Sequence, residues 1–363
     1  MNLTGFDLFR YRLPLREPLT LKGVTLHRRE GLLLRLCGDG GSEGWGETAP
    51  LPGFSGENLD QAIVQLRRLA GSLIGREIGE VWAARDGAFV PQPERIGPAP
   101  SVRFGLELAI WNLYAVHFGL DLPGLVSPSP KKEVPVNGLI PGPPANVMEE
   151  ARRMSDAGYR SIKLKVGARP IAEEIGLVRA LGGELGGDVS LRLDANRAWG
   201  YGAAAEFIRG VAEIPLEYIE EPLAEPALLG DLVQEFGVPV AIDETLVGMR
   251  QDSLEDHRYA RAVVLKPTLL GGVLRTLRMA ERALRLGMVP VLSSAYESGV
   301  GTAALVALAA GLGGRPIPTG LDAYRALAED VLDSPLALPA PRVDVGQTMY
   351  ASRKVEAGRL EKL

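Results

Sequence analysis

Between Ser161 and Ser298 the chain repeats a short apolar run that ends in a charged side chain. Ser161-Ile-Lys-Leu-Lys carries Lys163 and Lys165, and Val189-Ser-Leu-Arg-Leu-Asp ends at Asp194. Leu216-Glu-Tyr-Ile-Glu ends at Glu220, Val238-Pro-Val-Ala-Ile-Asp at Asp243, and Ala262-Val-Val-Leu-Lys at Lys266. Three converging carboxylates repel one another unless a cation stands between them. An oxygen-only donor set suits a hard ion, Mg2+ first and Mn2+ as a substitute. With a substrate carboxylate held at such an ion, a lysine beside the α-carbon could take a proton while the metal stabilises the enediolate that forms. The chemistry these residues suggest is therefore proton abstraction next to a carboxylate.

Something must hold the five runs side by side. From Asp194 to Lys266 the charged ends are 26, 23 and 23 residues apart. A step of about 25 leaves room for one strand, one helix and two loops, and continuous apolar runs read as buried parallel strands. That is the repeat of a (β/α)8 barrel, whose catalytic residues sit at the C-terminal strand ends. Strand alternation puts Lys163 and Lys165 on one face with Leu164 turned to the helices. A neighbouring ammonium would favour the neutral amine that a base needs. Lys266, four strands further round, would stand opposite Lys165. Glu221 and Glu244 alternate away from the mouth and are expected to be structural.

The fold expected is α/β, a modified TIM barrel with an N-terminal α+β capping domain completed by the C-terminal tail. Residues 1–128 form the cap, 129–324 the barrel, and 325–363 the returning tail. Within the cap, Asp7–Leu13, Arg29–Cys37 and Gly44–Glu47 read as antiparallel strands, and Leu13–Leu26 as a long connecting loop over the barrel mouth. Helices are expected over 59–73 and 101–118, with Ser101 as the N-cap of the second. Trp45 and Phe54 read as packing residues. The short eighth strand is placed at Pro318–Asp322.

Composition agrees with a globular enzyme: 46% apolar, 23% charged, formal charge −5. An acidic balance argues against general nucleic-acid binding. The single Cys37 excludes an intrachain disulfide and suits a reducing cytoplasm. Neither a signal peptide nor a membrane span is expected. The partner implied is a small-molecule carboxylate, with monomer and homo-oligomer both open.

Lys163-Leu-Lys, Asp194-Ala-Asn, Glu220-Glu-Pro, Asp243-Glu-Thr and Lys266-Pro resemble the enolase superfamily, in its muconate-lactonizing-enzyme branch. Within that branch the o-succinylbenzoate synthase family is the closer match. The segments that carry it are Gly44-Trp-Gly-Glu-Thr-Ala-Pro, Leu191-Arg-Leu-Asp-Ala-Asn-Arg-Ala-Trp, Val264-Leu-Lys-Pro-Thr-Leu, Leu292-Ser-Ser-Ala-Tyr-Glu-Ser and Gly320-Leu-Asp. The resemblance implies Asp194, Glu220 and Asp243 as Mg2+ ligands. It implies Lys165 as base and then acid, Lys266 as the cation facing the enediolate, and Lys163 as an aid at the carboxylate. Ser294, Ser298 and Gly320 would line the pocket for a succinyl arm, with Arg192 bracing the lysines, and the Leu13–Leu26 loop would close over the substrate. The activity implied is a dehydration; racemisation of N-acylamino acids or epimerisation of dipeptides is the alternative.

Overall fold

The computed structural model describes residues 1–77, 97–141, 146–185, 187–249 and 251–363. The chain opens with three antiparallel strands, β1 (Leu3–Leu21), β2 (Val24–Gly38) and β3 (Glu43–Thr48). The expected loop over 13–26 is instead the far end of the β1–β2 hairpin, paired down to Leu21↔Val24. Lys22 and Gly23 both have positive φ, 44° and 80°, as a tight hairpin turn matching the strand twist requires. Within this span pairing breaks between Pro14 and Leu19, where Pro14 and Pro18 have no N–H to give the ladder. Those prolines made a strand read as a loop.

Among the described residues of this region α1 (Leu59–Gly71) and α2 (Pro100–His117) follow, then the short α3 (Leu122–Val126). Helix α2 starts one residue before the expected cap. Its N-cap is Ala99, without a side-chain bond, and both the N–H and the hydroxyl of Ser101 go to Glu57 Oε1, at 3.0 and 2.5 Å. Backbone contact between α2 and β3 explains Gly44-Trp-Gly. A Cβ at Gly44 would lie 2.2 Å from Ala109 O, and one at Gly46 1.9 Å from Gly105 O. A core of leucines from β1, β2 and α1, with Val102, Leu106 and Ile110 of α2, fills this layer.

The second sheet holds seven strands, all parallel, in the order in which they occur along the chain. Strands and α-helices alternate except between β9 and β10, which 3-10 segments (Glu244–Leu246 and Gln251–His257) connect: β5 (Gly138–Ile140), α4 (Val147–Asp156), β6 (Ser161–Lys165), α5 (Ile171–Leu185), β7 (Ser190–Asp194), α6 (Tyr201–Gly210), β8 (Leu216–Glu220), α7 (Leu229–Phe236), β9 (Val240–Ile242), β10 (Ala262–Leu265), α8 (Pro267–Leu270), α9 (Val273–Arg285), β11 (Val289–Leu292) and α10 (Gly299–Gly311). The eighth position is thin. Thr319 bridges Val136 and Gly320 bridges Ser293, both in parallel, which closes the sheet into a barrel. The apolar run Val134-Pro-Val-Asn-Gly-Leu-Ile, which reads from sequence as the first barrel strand, divides: Glu133–Pro135, β4, pairs antiparallel with β12 (Arg342–Asp344), and only β5 joins the barrel sheet. After α11 (Val345–Ser352) the chain returns to the first sheet, where β13 (Glu361–Lys362) pairs with β1.

Two buried carboxylates tie the layers together. Glu47 of β3 accepts from Ser298 N and Gly301 N, both at 2.8 Å, at the start of α10. Glu107 of α2 accepts from Leu274 N at 3.1 Å, at the start of α9. Each offers negative charge to the positive end of a barrel helix. Burial still pushes the Glu107 carboxyl up, to about 7, against the opposing pull of the Leu274 N–H and the Arg103 charge. Among the described residues no helix is long and apolar enough to cross a membrane.

Candidate active site

Strand register gathers the charged ends. Lys165 pairs with Asp194, and Asp194 with Glu220. Glu220 pairs with Ala241, two residues before Asp243, so the barrel stagger carries Asp243 one layer higher. Leu164 is fully buried on the outer face, which turns Lys163 and Lys165 inward. Lys163 Nζ lies 2.7 Å from both Asp194 Oδ2 and Glu220 Oε2. Lys165 Nζ lies 2.6 Å from Asp194 Oδ2 and 2.5 Å from Asn196 Oδ1. Lys266 Nζ donates to Asp243 Oδ2. All three lysines line one cavity beneath the β1–β2 hairpin, together with Leu21, Leu51, Phe54, Asn137 and Tyr296.

The expected cation-rich setting is replaced by a carboxylate-rich one. Burial would depress the Lys163 ammonium, yet the charges on Asp194 and Glu220 outweigh it and hold its pKa well above the lysine value. Lys266 is raised in the same way by Asp243 and Glu220, again against burial. Burial works against the Asp194 carboxylate too, and the Lys163 and Lys165 charges push it far below the usual range. Burial and the Asp194 charge push Glu220 up to about 8.

These carboxylates fit a hard cation. Glu220 Oε1 is buried with no hydrogen-bond partner, and a neutral carboxyl is what burial beside another anion enforces when positive charge is short. Among the described residues no three acidic, His or Cys side chains close around one point; the ammonium groups of Lys163 and Lys266 stand between them. An all-oxygen set with one idle oxygen suits Mg2+. Glu221 braces the same rim: its Oε1 accepts from Asp243 N at 2.9 Å and Thr245 N at 2.7 Å.

Two expected site residues lie elsewhere. Arg192 touches neither lysine. Its guanidinium donates to Glu217 through Nε and Nη2, both at 2.9 Å, and through Nη1 to Asn137 Oδ1 at 3.1 Å and Pro318 O at 2.9 Å. It is a fully buried brace below the lysine layer, because two residues along a strand is one layer deeper. Ser298 is the N-cap of α10, with its hydroxyl on Glu47 Oε2 at 2.5 Å, and it does not line the cavity.

Ser293, Ser294 and Gly320 do line it. Ser294 donates to Glu297 Oε2 at 2.8 Å and accepts from Tyr296 N at 2.9 Å, so its proton is committed. Ser293, overlooked in the sequence, makes only a 3.4 Å contact to Gly320 O. A Cβ at Gly320 would lie 2.4 Å from Ser293 Oγ, which is why glycine stands there. Phe54 packs against Leu51, Leu269 and Ala295, as expected, and also forms cavity wall, with Lys22 Nζ 4.1 Å from its ring centroid. Asn196 was also missed as a site residue, although the Asp194-Ala-Asn196 spacing put it two residues beyond a ligand candidate.

Residues 146–349 match the family model described as Enolase C-terminal domain-like, and residues 3–113 that described as MenC, N-terminal domain. The o-succinylbenzoate synthase of Pasteurella multocida is 32% identical over 343 residues, covering 93% of this chain and 92% of the relative. That of Haemophilus influenzae is 33% identical over 346 residues, covering 94% and 96%. Muconate lactonizing enzyme from Pseudomonas fluorescens, solved with muconolactone, superposes with a TM-score of 0.83 at 25% identity over 95% of this chain and 94% of that one. Dipeptide epimerase from Enterococcus faecalis, solved with Mg and the dipeptide L-Leu-L-Tyr, gives 0.83 at 21% identity over 99% and 100%. With its parallel barrel, antiparallel N-terminal sheet and these matches, the chain belongs to the enolase superfamily of enzymes, in its muconate-lactonizing branch, and is similar to o-succinylbenzoate synthases over more than nine-tenths of its length.

Proposed function

We propose that this enzyme is an o-succinylbenzoate synthase, a lyase that dehydrates 2-succinyl-6-hydroxy-2,4-cyclohexadiene-1-carboxylate to 2-succinylbenzoate, a step of menaquinone synthesis. The observation that carries the reading is one cavity lined by Lys165 and Lys266 beside a rim of three buried carboxylates. Similarity at 32–33% to enzymes of that name supports it. Lys165 Nζ takes the proton from the carbon bearing the substrate carboxylate. The same ammonium then gives a proton to the departing hydroxyl on that face, so that water leaves and the ring becomes aromatic. Lys266 keeps its charge opposite and faces the developing enediolate. Lys163 holds Asp194 and Glu220 in place. Mg2+ bound by Asp194, Glu220 and Asp243 would supply the charge that steadies the enediolate oxygens. Ser293 and Gly320 face the space for the succinyl arm. The setting we propose is the cytoplasm, with no nucleic-acid or membrane partner.

A second reading, N-acylamino acid racemisation, is kept because two lysines on opposing strands can each exchange an α-proton. N-succinyl Arg/Lys racemase from Bacillus cereus shares the fold, with a TM-score of 0.82 at 21% identity over the whole of both chains. The deciding experiment assays purified protein with the cyclohexadiene and, in D2O, with both enantiomers of N-succinyl amino acids. Faster dehydration supports the synthase; faster α-proton exchange replaces it with the racemase.

A further inference from the structure

Glu297 is fully buried, and the proposed reaction does not use it. Its Oε1 accepts from Thr268 Oγ1 at 2.5 Å. Its Oε2 accepts from Ser294 Oγ at 2.8 Å and from Ala295 N at 2.6 Å. Thr268 follows Lys266 by two residues in α8, where Leu269 N and Leu270 N bond back to Lys266 O, each at 2.9 Å. Ser294 and Ala295 are cavity wall. One carboxylate therefore joins the exit of the Lys266 strand to the wall supplied after β11.

The surrounding geometry makes this join rigid. Between Ala295 and Glu297, Tyr296 is held at φ 61°, a left-handed conformation that a bulky side chain keeps only where its neighbours over-determine it. Glu297 holds the residue before Tyr296, and Ser294 Oγ holds Tyr296 N at 2.9 Å. Tyr296 O in turn accepts from Arg29 Nε at 3.1 Å. The start of α9, just beyond α8, is fixed from the other layer, where Glu107 accepts from Leu274 N. Thr268 is fully buried as well, so nothing competes for its hydroxyl.

We infer that Glu297 is a positioning residue: through Thr268 and Ser294 it sets the distance between Lys266 and the β11 wall. The cation over the enediolate and the surface that seats the substrate arm then move as one body. The inference rests on the synthase reading for the identity of the reaction, but not for the geometry.

A double-mutant cycle tests it. Thr268→Val keeps the shape of the side chain and releases one end of Glu297, and activity is normalised to folded protein. We expect kcat to fall about tenfold with KM within about twofold, the signature of an interaction that matters in the transition state. In a Lys266→Ala background the same change should cost nothing further, because the residue it positions is gone. Glu297→Gln, which still accepts from Ser294 and Ala295 and can donate to Thr268, should keep most of the wild-type rate, whereas Glu297→Ala should not. An equal Thr268→Val penalty in both backgrounds would overturn the inference, since a purely structural loss is additive. Wild-type turnover is measured first, so failure of the synthase reading shows itself separately. If the wild type racemises instead, the cycle is read on α-proton exchange. If it does neither, a crystal structure of Thr268→Val decides: displacement of Lys266 Nζ from Asp243 by about 1 Å supports the inference, and unchanged positions overturn it.

Discussion

Lys163 Nζ and Glu220 Oε2 meet at 2.7 Å at the floor of the cavity, with Glu220 fully buried, while the other oxygen of Glu220 has no partner. A carboxylate half-satisfied in this way leaves one acceptor free for a cation.

The metal prediction follows from that free oxygen and its neighbours. Chelator-treated enzyme should be inactive and recover with Mg2+. Asp194→Asn, Glu220→Gln and Asp243→Asn should each lose activity on the order of 100-fold or more, given what a Lewis acid contributes. Mg2+ should also raise the melting temperature of the wild type, by a free energy of about 2.7 kcal/mol at a hundred times Kd. Full activity in metal-free protein would count decisively against this site.

The two lysines should separate on conversion to arginine, which keeps the charge but does not act readily as a base. Lys266→Arg should retain measurable dehydration, because its task is electrostatic. Lys165→Arg should have none. Retained dehydration in Lys165→Arg means that another group is the base.

Arg192 should matter to stability rather than to binding. Removing the carboxylate from its partner by Glu217→Gln leaves a fully buried guanidinium short of charge, which costs about 3 kcal/mol in a closed interior. Glu217 is a quarter exposed, so a smaller loss is expected. KM should not change. A raised KM without loss of stability would return Arg192 to the substrate site.

Glu107 gives stability a pH dependence with a definite sign. Its folded pKa, about 7, lies above the ordinary value of 4.5. The folded state therefore binds the proton more tightly. The contribution is fully present below pH 4.5 and is lost as pH rises through 7. At 1.36 kcal/mol per pKa unit the ceiling is about 3 kcal/mol. Urea midpoints of wild type and Glu107→Gln, compared at pH 5 and pH 8, should show the variant gaining relative stability at the higher pH. A difference that does not vary with pH would rule this out.

The hairpin tip should govern substrate capture. Leu21 and Leu26 pack with Phe54 and Tyr296 against a cluster of Leu51, Leu269 and Ala295. Replacing residues 20–25 by two glycines should raise KM several-fold while the melting curve stays cooperative. Unchanged kinetics would mean that the tip does not cover the bound substrate.

Much of this site was legible because a strand has only two faces. Once Leu164 was read as outward, Lys163 and Lys165 had one direction left, and the regular step carried Asp194, Glu220, Asp243 and Lys266 to the same rim. The same reasoning could not weigh partners distant in sequence. Ser298 looked like pocket lining in its serine-rich segment, yet Glu47, some 250 residues earlier, claims its hydroxyl. Glu107 carries no local signature, and Glu297 stands in a recognisable segment that says nothing of its partner Thr268; their roles exist only where elements distant in sequence meet. Pro14 and Pro18 hid a strand because local rules penalise proline, whereas the hairpin bypasses them with a break in register.

The pairing of β13 with β1 sets the timing of folding during synthesis. Phe9 lies opposite Lys362, and Leu8 O accepts from Leu363 N at 2.9 Å. The fourth strand of the first sheet therefore emerges about 350 residues after the first, and so long-range a closure is intrinsically slow. At about 5–20 residues per second, the outer edge of β1 stays bare for tens of seconds on the ribosome. A bare edge invites pairing with a neighbouring nascent chain. Arg10 and Arg12 lie on that strand, and Arg12 pairs with Glu361 at 2.6 Å in the finished sheet. Charged side chains on an open edge strand discourage such pairing, so replacing both with threonine should lower the soluble yield of newly made protein far more than the stability of the folded form.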